Sequence, residues 1–174
     1  MWQGPYNRTG YGAMISSENT TPGEAAKPAA LAVTALIESA RKGVLASLLP
    51  PDGAPYASLV NVASDGGEPI LLLSRLAWHT QNILAENRAC LLITEEAEGK
   101  DPLEGQRVSL IGRLSSIERM QAEARYFPKH PNARSYARFA DFNFYKLNVE
   151  KAHYVAGFGQ IVTMERSQLY EASR

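Results

Sequence analysis

The sequence predicts an α+β fold, mainly β, with an antiparallel barrel core. Three observations carry that reading. Short apolar runs alternate with Pro/Asp/Gly clusters, as hairpins require. The connections between the early runs are too short for a parallel crossover, which needs about a dozen residues or more. Helical periodicity returns at the start, in the middle and before the last strands. A chain of 174 residues has the size of one domain and can bury a core without staples.

The elements follow in order. Residues 1–23 are rich in Gly, Asn, Ser, Thr and Pro and read as a flexible or docked arm, with Trp2, Tyr6 and Tyr11 as possible anchors. From about residue 24, Val33, Leu36, Ile37, Ala40 and Val44 lie on one helical face. Arg41 and Lys42 fall in the last turn of that helix, with Gly43 behind them. Strands follow at 44–49, 56–62 and 70–74, then a short helix at 77–87 and a strand at 89–94. Residues 95–104 are a polar loop. Across 106–114, Val108, Leu110 and Gly112 face one way and Arg107, Ser109, Ile111 and Arg113 the other. Helix over 118–127 is broken by Pro128 and Pro131 and resumes at 133–139. Strands at 142–149 and 153–158 close the fold, giving six or seven in all. Long exposed edges favour closure of such a sheet into a barrel.

Charge and composition exclude several functions. Eighteen basic residues balance eighteen acidic ones, so nothing supports a nucleic-acid surface, which needs a basic excess. No apolar stretch approaches the roughly 20 residues that span a bilayer, and no membrane partner is expected. No secretory signal is visible at Met1–Tyr6, so a reducing, cytoplasmic setting is the expectation. Cys90, the single cysteine, sits in an apolar run and reads as a small core side chain. His79, His130 and His153 are not at ligand spacing, so no metal site is expected, and no phosphate loop or nucleophile elbow occurs.

The most informative stretch is 73–83. A buried strand ends in Ser74 and Arg75 and turns directly into a helix start carrying His79, Thr80 and Asn82. Hydroxyls, a guanidinium and free backbone N–H groups at the positive end of a helix suit a phosphate. Arg75 would supply the charge, with Ser74, Thr80 and Asn82 adding neutral hydrogen bonds. The plain alternative is helix capping by Thr80 and a solvated Arg75. Ser58 and Arg113 stand on strands that could line the same face. Asp141, between aromatic residues, needs a partner: either it belongs to a functional pocket, or it caps or pairs with Arg134 or Arg138.

These residues carry a resemblance. Ala57-Ser58-Leu59-Val60-Asn61, Ser74-x-Leu76-Ala77-x-His79-Thr80-x-Asn82, Gly112-Arg113, His130-Pro131, Phe139-Ala140-Asp141-Phe142 and Gly157-Phe158-Gly159 occur in the order found in FMN-binding split barrels. Over about residues 30–160 the chain resembles the haem-utilisation branch of the pyridoxamine 5′-phosphate oxidase-like superfamily. The resemblance implies a split β-barrel domain at 24–160, followed by a C-terminal tail at 161–174. It also implies a homodimer with FMN at the subunit interface and an oxidoreductase activity on an unidentified small molecule. By position, Ser58, Leu59, Val60 and Asn61 would lie along the flavin. Ser74, Arg75, Leu76, His79, Thr80 and Asn82 would surround its phosphate, with Arg113 approaching from the adjacent strand. The alternative is a haem-binding or haem-degrading protein, for which Asp141 matches a pocket carboxylate. Two departures stand out. The Ser-Arg-Lys of the oxidases reads Trp78-His79-Thr80, and residues 161–174 lack the tail histidine of haem-handling members.

Overall fold

The computed structural model describes residues 22–95, 101, 103–157 and 160–171. The expected N-terminal arm therefore lies almost wholly outside the described residues, as does most of the loop at 95–104. Helix α1 (Pro22–Ser39) opens the description. It buries Ala26, Ala29, Ala30, Val33, Leu36 and Ile37, a stripe at helical spacing. The helix ends earlier than its periodicity suggests. Lys42 already belongs to β1 (Lys42–Leu49), and Val44 pairs with Leu59 and Leu92 on that strand. Cationic capping comes instead from Lys129, whose Nζ donates to the carbonyls of Glu38 and Ala40 at the helix C-terminus.

The remaining elements are β2 (Ala54–Asn61), β3 (Ala63–Asp65), β4 (Glu68–Ser74), α2 (Trp78–Ala85), β5 (Arg88–Thr94) and β6 (Gln106–Ser116). They are followed by α3 (Arg119–Lys129), a 3-10 turn (Pro131–Ser135), β7 (Phe142–Ala156), β8 (Ile161–Glu165) and α4 (Arg166–Glu171). All strand pairings are antiparallel. The sheet runs β2-β1-β5-β6-β7-β4-β3, and β8 pairs with β7. Its two ends, β2 and β3, are separated in the chain by Val62 alone. Consecutive Cα atoms lie about 3.8 Å apart, so the sheet must curl until its edges nearly meet. A mainly β, α+β half-barrel with flanking helices results, the fold class that the sequence predicts.

Several local readings change. The two strands expected at 142–149 and 153–158 are one strand, β7, long enough to pair with β6 on one side and with β4 and β8 in turn on the other. The charged pair Glu150-Lys151, in the gap between the two expected strands, is absorbed by a bulge opposite Ile111 and Gly112. Pro128 sits in the last turn of α3, so the helix runs past it to Lys129. The helix expected at 133–139 is the 3-10 turn. The expected tail carries β8 and α4, and Met164 and Leu169 are fully buried in the main core.

Two cores flank the sheet. The larger fills the half-barrel beneath α1 and α2 and takes in Leu45, Leu71, Leu91, Leu110 and Leu147. The smaller packs Ile70, Leu72 and Phe144 against Tyr126 and Phe127 of α3. Strand β4 contributes to both faces, which is why its run 70–73 is apolar without alternation. Among the described residues no helix is long and apolar enough to cross a membrane.

Candidate functional site

The end of β4 builds the site. After the buried run, the Ser74 hydroxyl accepts the Leu76 N–H at 3.1 Å, and the Ser74 carbonyl accepts the Ala77 N–H at 3.1 Å. This turn launches α2, whose N-cap is Ala77 with no side-chain cap. Thr80 is therefore not the capping residue. The Ser74 hydroxyl in turn donates to Asp141 Oδ2 at 2.5 Å, and the Arg75 N–H donates to the Asp141 carbonyl at 2.7 Å. Asp141 is thus tied to the end of β4 by both side chain and backbone. Arg134, one of its expected partners, lies over the Phe127 ring at 4.7 Å instead.

A groove of about 350 Å³ opens beside this junction. Leu59, Val60 and Asn61 of β2 form one wall, and Leu72, Leu73 and Ser74 of β4 the other. Ala77 and His79 close one end, and the Tyr136 and Phe142 rings, 5.1 Å apart, close the other. The groove is mostly apolar, with an amide, a hydroxyl and an imidazole at its edges.

His79 is the chemically distinctive member. Its Nδ1 lies 3.1 Å from Ser58 Oγ, while its Nε2 is buried without a hydrogen-bond partner. Burial pushes the His79 imidazole below its ordinary pKa, so the ring is neutral at pH 7. The other two histidines hold structural positions. His130 Nε2 lies 2.8 Å from the Val62 carbonyl and its ring packs on Tyr126 at 4.8 Å. His153 Nδ1 lies 2.9 Å from Thr163 Oγ1, across β7 and β8.

The structure brings Leu59, Val60, Asn61, Ser74 and His79 together on the groove, with Ser58 behind His79. Thr80 is fully buried with its hydroxyl unpartnered, and Asn82 is buried with Nδ2 donating to Ser47 Oγ at 3.0 Å. Leu76 is exposed. Arg75 turns to the other flank of the junction, where its Nη2 donates to the Ala140 carbonyl at 3.1 Å. Arg113 stands apart from the groove, held by Glu150 at 3.1 Å and Asn87 at 3.0 Å. The residues that the phosphate reading groups therefore do not form one cluster. Tyr136, Phe142, Leu72 and Leu73, which complete the groove, are not among the candidates read from the sequence. The signal for the two aromatic residues is the aromatic density around Asp141, and that for the two leucines is the apolar run ending at Ser74.

A half-barrel with a groove at the end of β4 defines a split-barrel protein. Residues 24–171 match the CREG β-barrel family, and the chain belongs to that family. It is 37% identical over 110 residues to the chloroplastic non-canonical haem oxygenase HOZ of Arabidopsis thaliana, covering 61% of this chain and 33% of that protein. A haem-binding protein from Mycobacterium smegmatis superposes with a TM-score of 0.74 at 27% identity, over 89% of this chain and 62% of that one. Campylobacter jejuni ChuZ shares the fold, with a TM-score of 0.70 at 21% identity over 79% of this chain and 59% of that one. The chain thus spans a third of the plant relative and about three-fifths of the two bacterial structures.

Proposed function

We propose that this protein is a haem-binding, haem-degrading protein that takes haem in the groove between β2 and β4 and acts as a homodimer. The observation that carries the proposal is His79. A ligating imidazole needs one nitrogen free and the other held by a partner that fixes the ring. His79 comes nearest to both: in the Nδ1–H tautomer Ser58 holds the ring and the unpartnered Nε2 keeps its lone pair, and a turn of the ring toward the groove would bring that buried atom to the iron. The neutral state favoured by burial is the ligating one. Leu59, Val60, Leu72 and Phe142 offer apolar walls to a flat macrocycle, and Tyr136 a polar-tipped aromatic edge. The likeness to a protein named haem oxygenase and to one named haem-binding supports the same ligand class.

When bound, haem supplies the iron-centred redox chemistry. The chain's own part is to exclude water with the walls of β2 and β4 and to fix the imidazole through Ser58. The Asp141–Ser74 pair places a carboxylate at the groove's edge, where it can accept a proton-bearing donor. Leu59, Leu76 and Trp78 are exposed around the groove, and a second copy of the chain would cover them.

FMN in the same groove is the second reading, favoured by the run Leu59-Val60-Asn61 along one wall. Ser74 is held by Asp141, however, and Arg75 faces the other flank, which leaves a phosphate few partners there. Absorption titration with haemin and, separately, with FMN tests both. A Soret band that His79→Ala shifts or abolishes, while His153→Ala leaves it intact, is the expected result. Flavin bands retained after desalting, with no Soret band, would replace haem with FMN.

A further inference from the structure

The geometry points to a second binding site, on the opposite flank of the β4–α2 junction, for an amphipathic monocarboxylate. A cleft of about 690 Å³ opens there between the C-terminal half of α2 and strands β6 and β7. That volume falls within the usual range of small-molecule sites. It shares no lining residue with the groove and does not rest on the haem reading.

Two sets of groups line it. Arg75, Asn143, Tyr145 and Ser116 give the cleft a donor-rich side, while Ile83 and Leu114 give it an apolar floor. Ser116 and Tyr145 are register partners on β6 and β7, and Asn143 lies two residues before Tyr145, so all three project from one face of the sheet. Tyr145 is buried apart from this opening, and Arg75 lies near enough to act on its hydroxyl electrostatically.

Arg75 is the group that selects a ligand. Among the described residues it has no carboxylate partner; its one side-chain bond is to the Ala140 carbonyl, which leaves most of the guanidinium fork unused. The acid that lines the cleft, Glu86, is paired with Arg88 at 3.1 Å, and Asp141 at the junction accepts the Ser74 hydroxyl. A free guanidinium beside a phenol, an amide and a hydroxyl matches a carboxylate, which only accepts hydrogen bonds. The far wall carries the C-terminal turn of α2, whose carbonyls bear partial negative charge and disfavour a second anionic end. The ligand is therefore acidic at one end and apolar along its body.

The test is a ¹H–¹⁵N NMR titration of the full chain with hexanoate, its neutral amide hexanamide, and the dianion adipate. Saturable shifts at Asn143, Ser116 and Ala85 are expected with hexanoate, with hexanamide and adipate about tenfold weaker or worse. Arg75→Gln, at an exposed position, should fold normally and weaken hexanoate about tenfold while leaving hexanamide unchanged. Tyr145→Phe should weaken hexanoate by a smaller factor. No saturable shift, equal response to hexanoate and hexanamide, or an undiminished response in Arg75→Gln would each overturn the proposal. Haemin binding in Arg75→Gln should match the unaltered chain, so a failure here is distinguishable from a failure of the haem reading.

Discussion

At Gly112 the two longest strands come too close for any side chain. A Cβ built there would meet the Asn148 carbonyl oxygen at 2.1 Å and the Asn148 carbonyl carbon at 2.9 Å, both backbone atoms that cannot swing aside. The register of β6 on β7 shifts at this point, so the close approach and the bulge are one feature. Gly112→Ala should therefore destabilise the protein by about 1–3 kcal/mol, the usual cost of overpacking, seen as a lower urea midpoint. An unchanged midpoint would mean that the bulge can slide. The alternation of 106–114 predicts the inward side of Gly112 correctly, but the reason for a glycine there was hidden, because the constraint lies 36 positions away in β7. The same limit applies to Thr80 and Asn82. Their nearness to Ser74 and Arg75 in the chain suggests one anion cluster, yet the rotation of α2 carries both into the interior. A polar residue on a short helix does not announce which face is buried when polar partners such as Ser47 wait inside.

Strands bounded by Pro/Asp/Gly turns are legible because the punctuation is local, and β1, β2, β4, β5 and β6 all fall near their expected places. The C-terminal elements are not legible in that way. Between Ile161 and Glu171 no Gly, Pro, Asn or Asp marks where strand gives way to helix, and α4 has a single turn and a half to display a period. What holds it is tertiary. Leu169 is fully buried, and Arg166 donates to the Val149 carbonyl at 2.9 Å and to Glu68 at 2.6 Å. Leu169→Ala should cost about 2–5 kcal/mol, the range for deleting a buried leucine side chain. Calorimetry would read it as a lower Tm, and a silent substitution would mean that α4 is not docked. Glu68 adds a pH dependence. Burial by itself would raise its carboxyl, but hydrogen bonds and charge from Lys146 and Arg166 outweigh that and hold it below the ordinary value. A depressed carboxylate stabilises the fold above its unfolded pKa, and that contribution disappears as pH falls through the folded value. Glu68→Gln should thus cost about 1–2 kcal/mol at pH 7, an amount discounted for the exposure of Arg166. The gap between the two proteins should persist through the ordinary carboxylate range and close only as pH falls through the depressed value of Glu68, below which both carry a neutral side chain. A gap independent of pH would show that the loss is one of packing.

For the whole molecule, the sequence predicts a closed antiparallel barrel, but where its seam falls depends on contacts distant in sequence. The chain crosses between the sheet's two ends at Val62, where the Val62 N–H donates to the Arg41 carbonyl at 2.9 Å and the Val62 carbonyl meets His130. Closure brings β2 alongside β4 and so creates the groove, which no local pattern could reveal. Around that groove Leu59, Leu76 and Trp78 are 70%, 76% and 62% exposed, and Tyr56 packs against Trp78 at 5.9 Å. Single exposed apolar side chains are ordinary, but several beside one apolar opening are what the proposed dimer would cover. If a second copy completes the haem site, ligand binding and association are linked, and anything bound only by the dimer must stabilise the dimer. Trp78→Glu should then shift sedimentation from dimer to monomer and weaken haemin about tenfold or more. In the unaltered chain, haemin affinity should fall as protein is diluted below its dimer dissociation constant. Full affinity in a monomeric Trp78→Glu variant would confine the site to one chain and leave the His79 assignment standing. The pH profile tests that assignment separately. An ordinary imidazole is half protonated near pH 6.5, but His79 lies lower because its ring is buried. Haem should stay bound at pH 6.5 and be released only as pH falls further, through the depressed value at which Nε2 gains a proton and can no longer ligate. Release centred at or above pH 6.5 would remove His79 as the iron ligand.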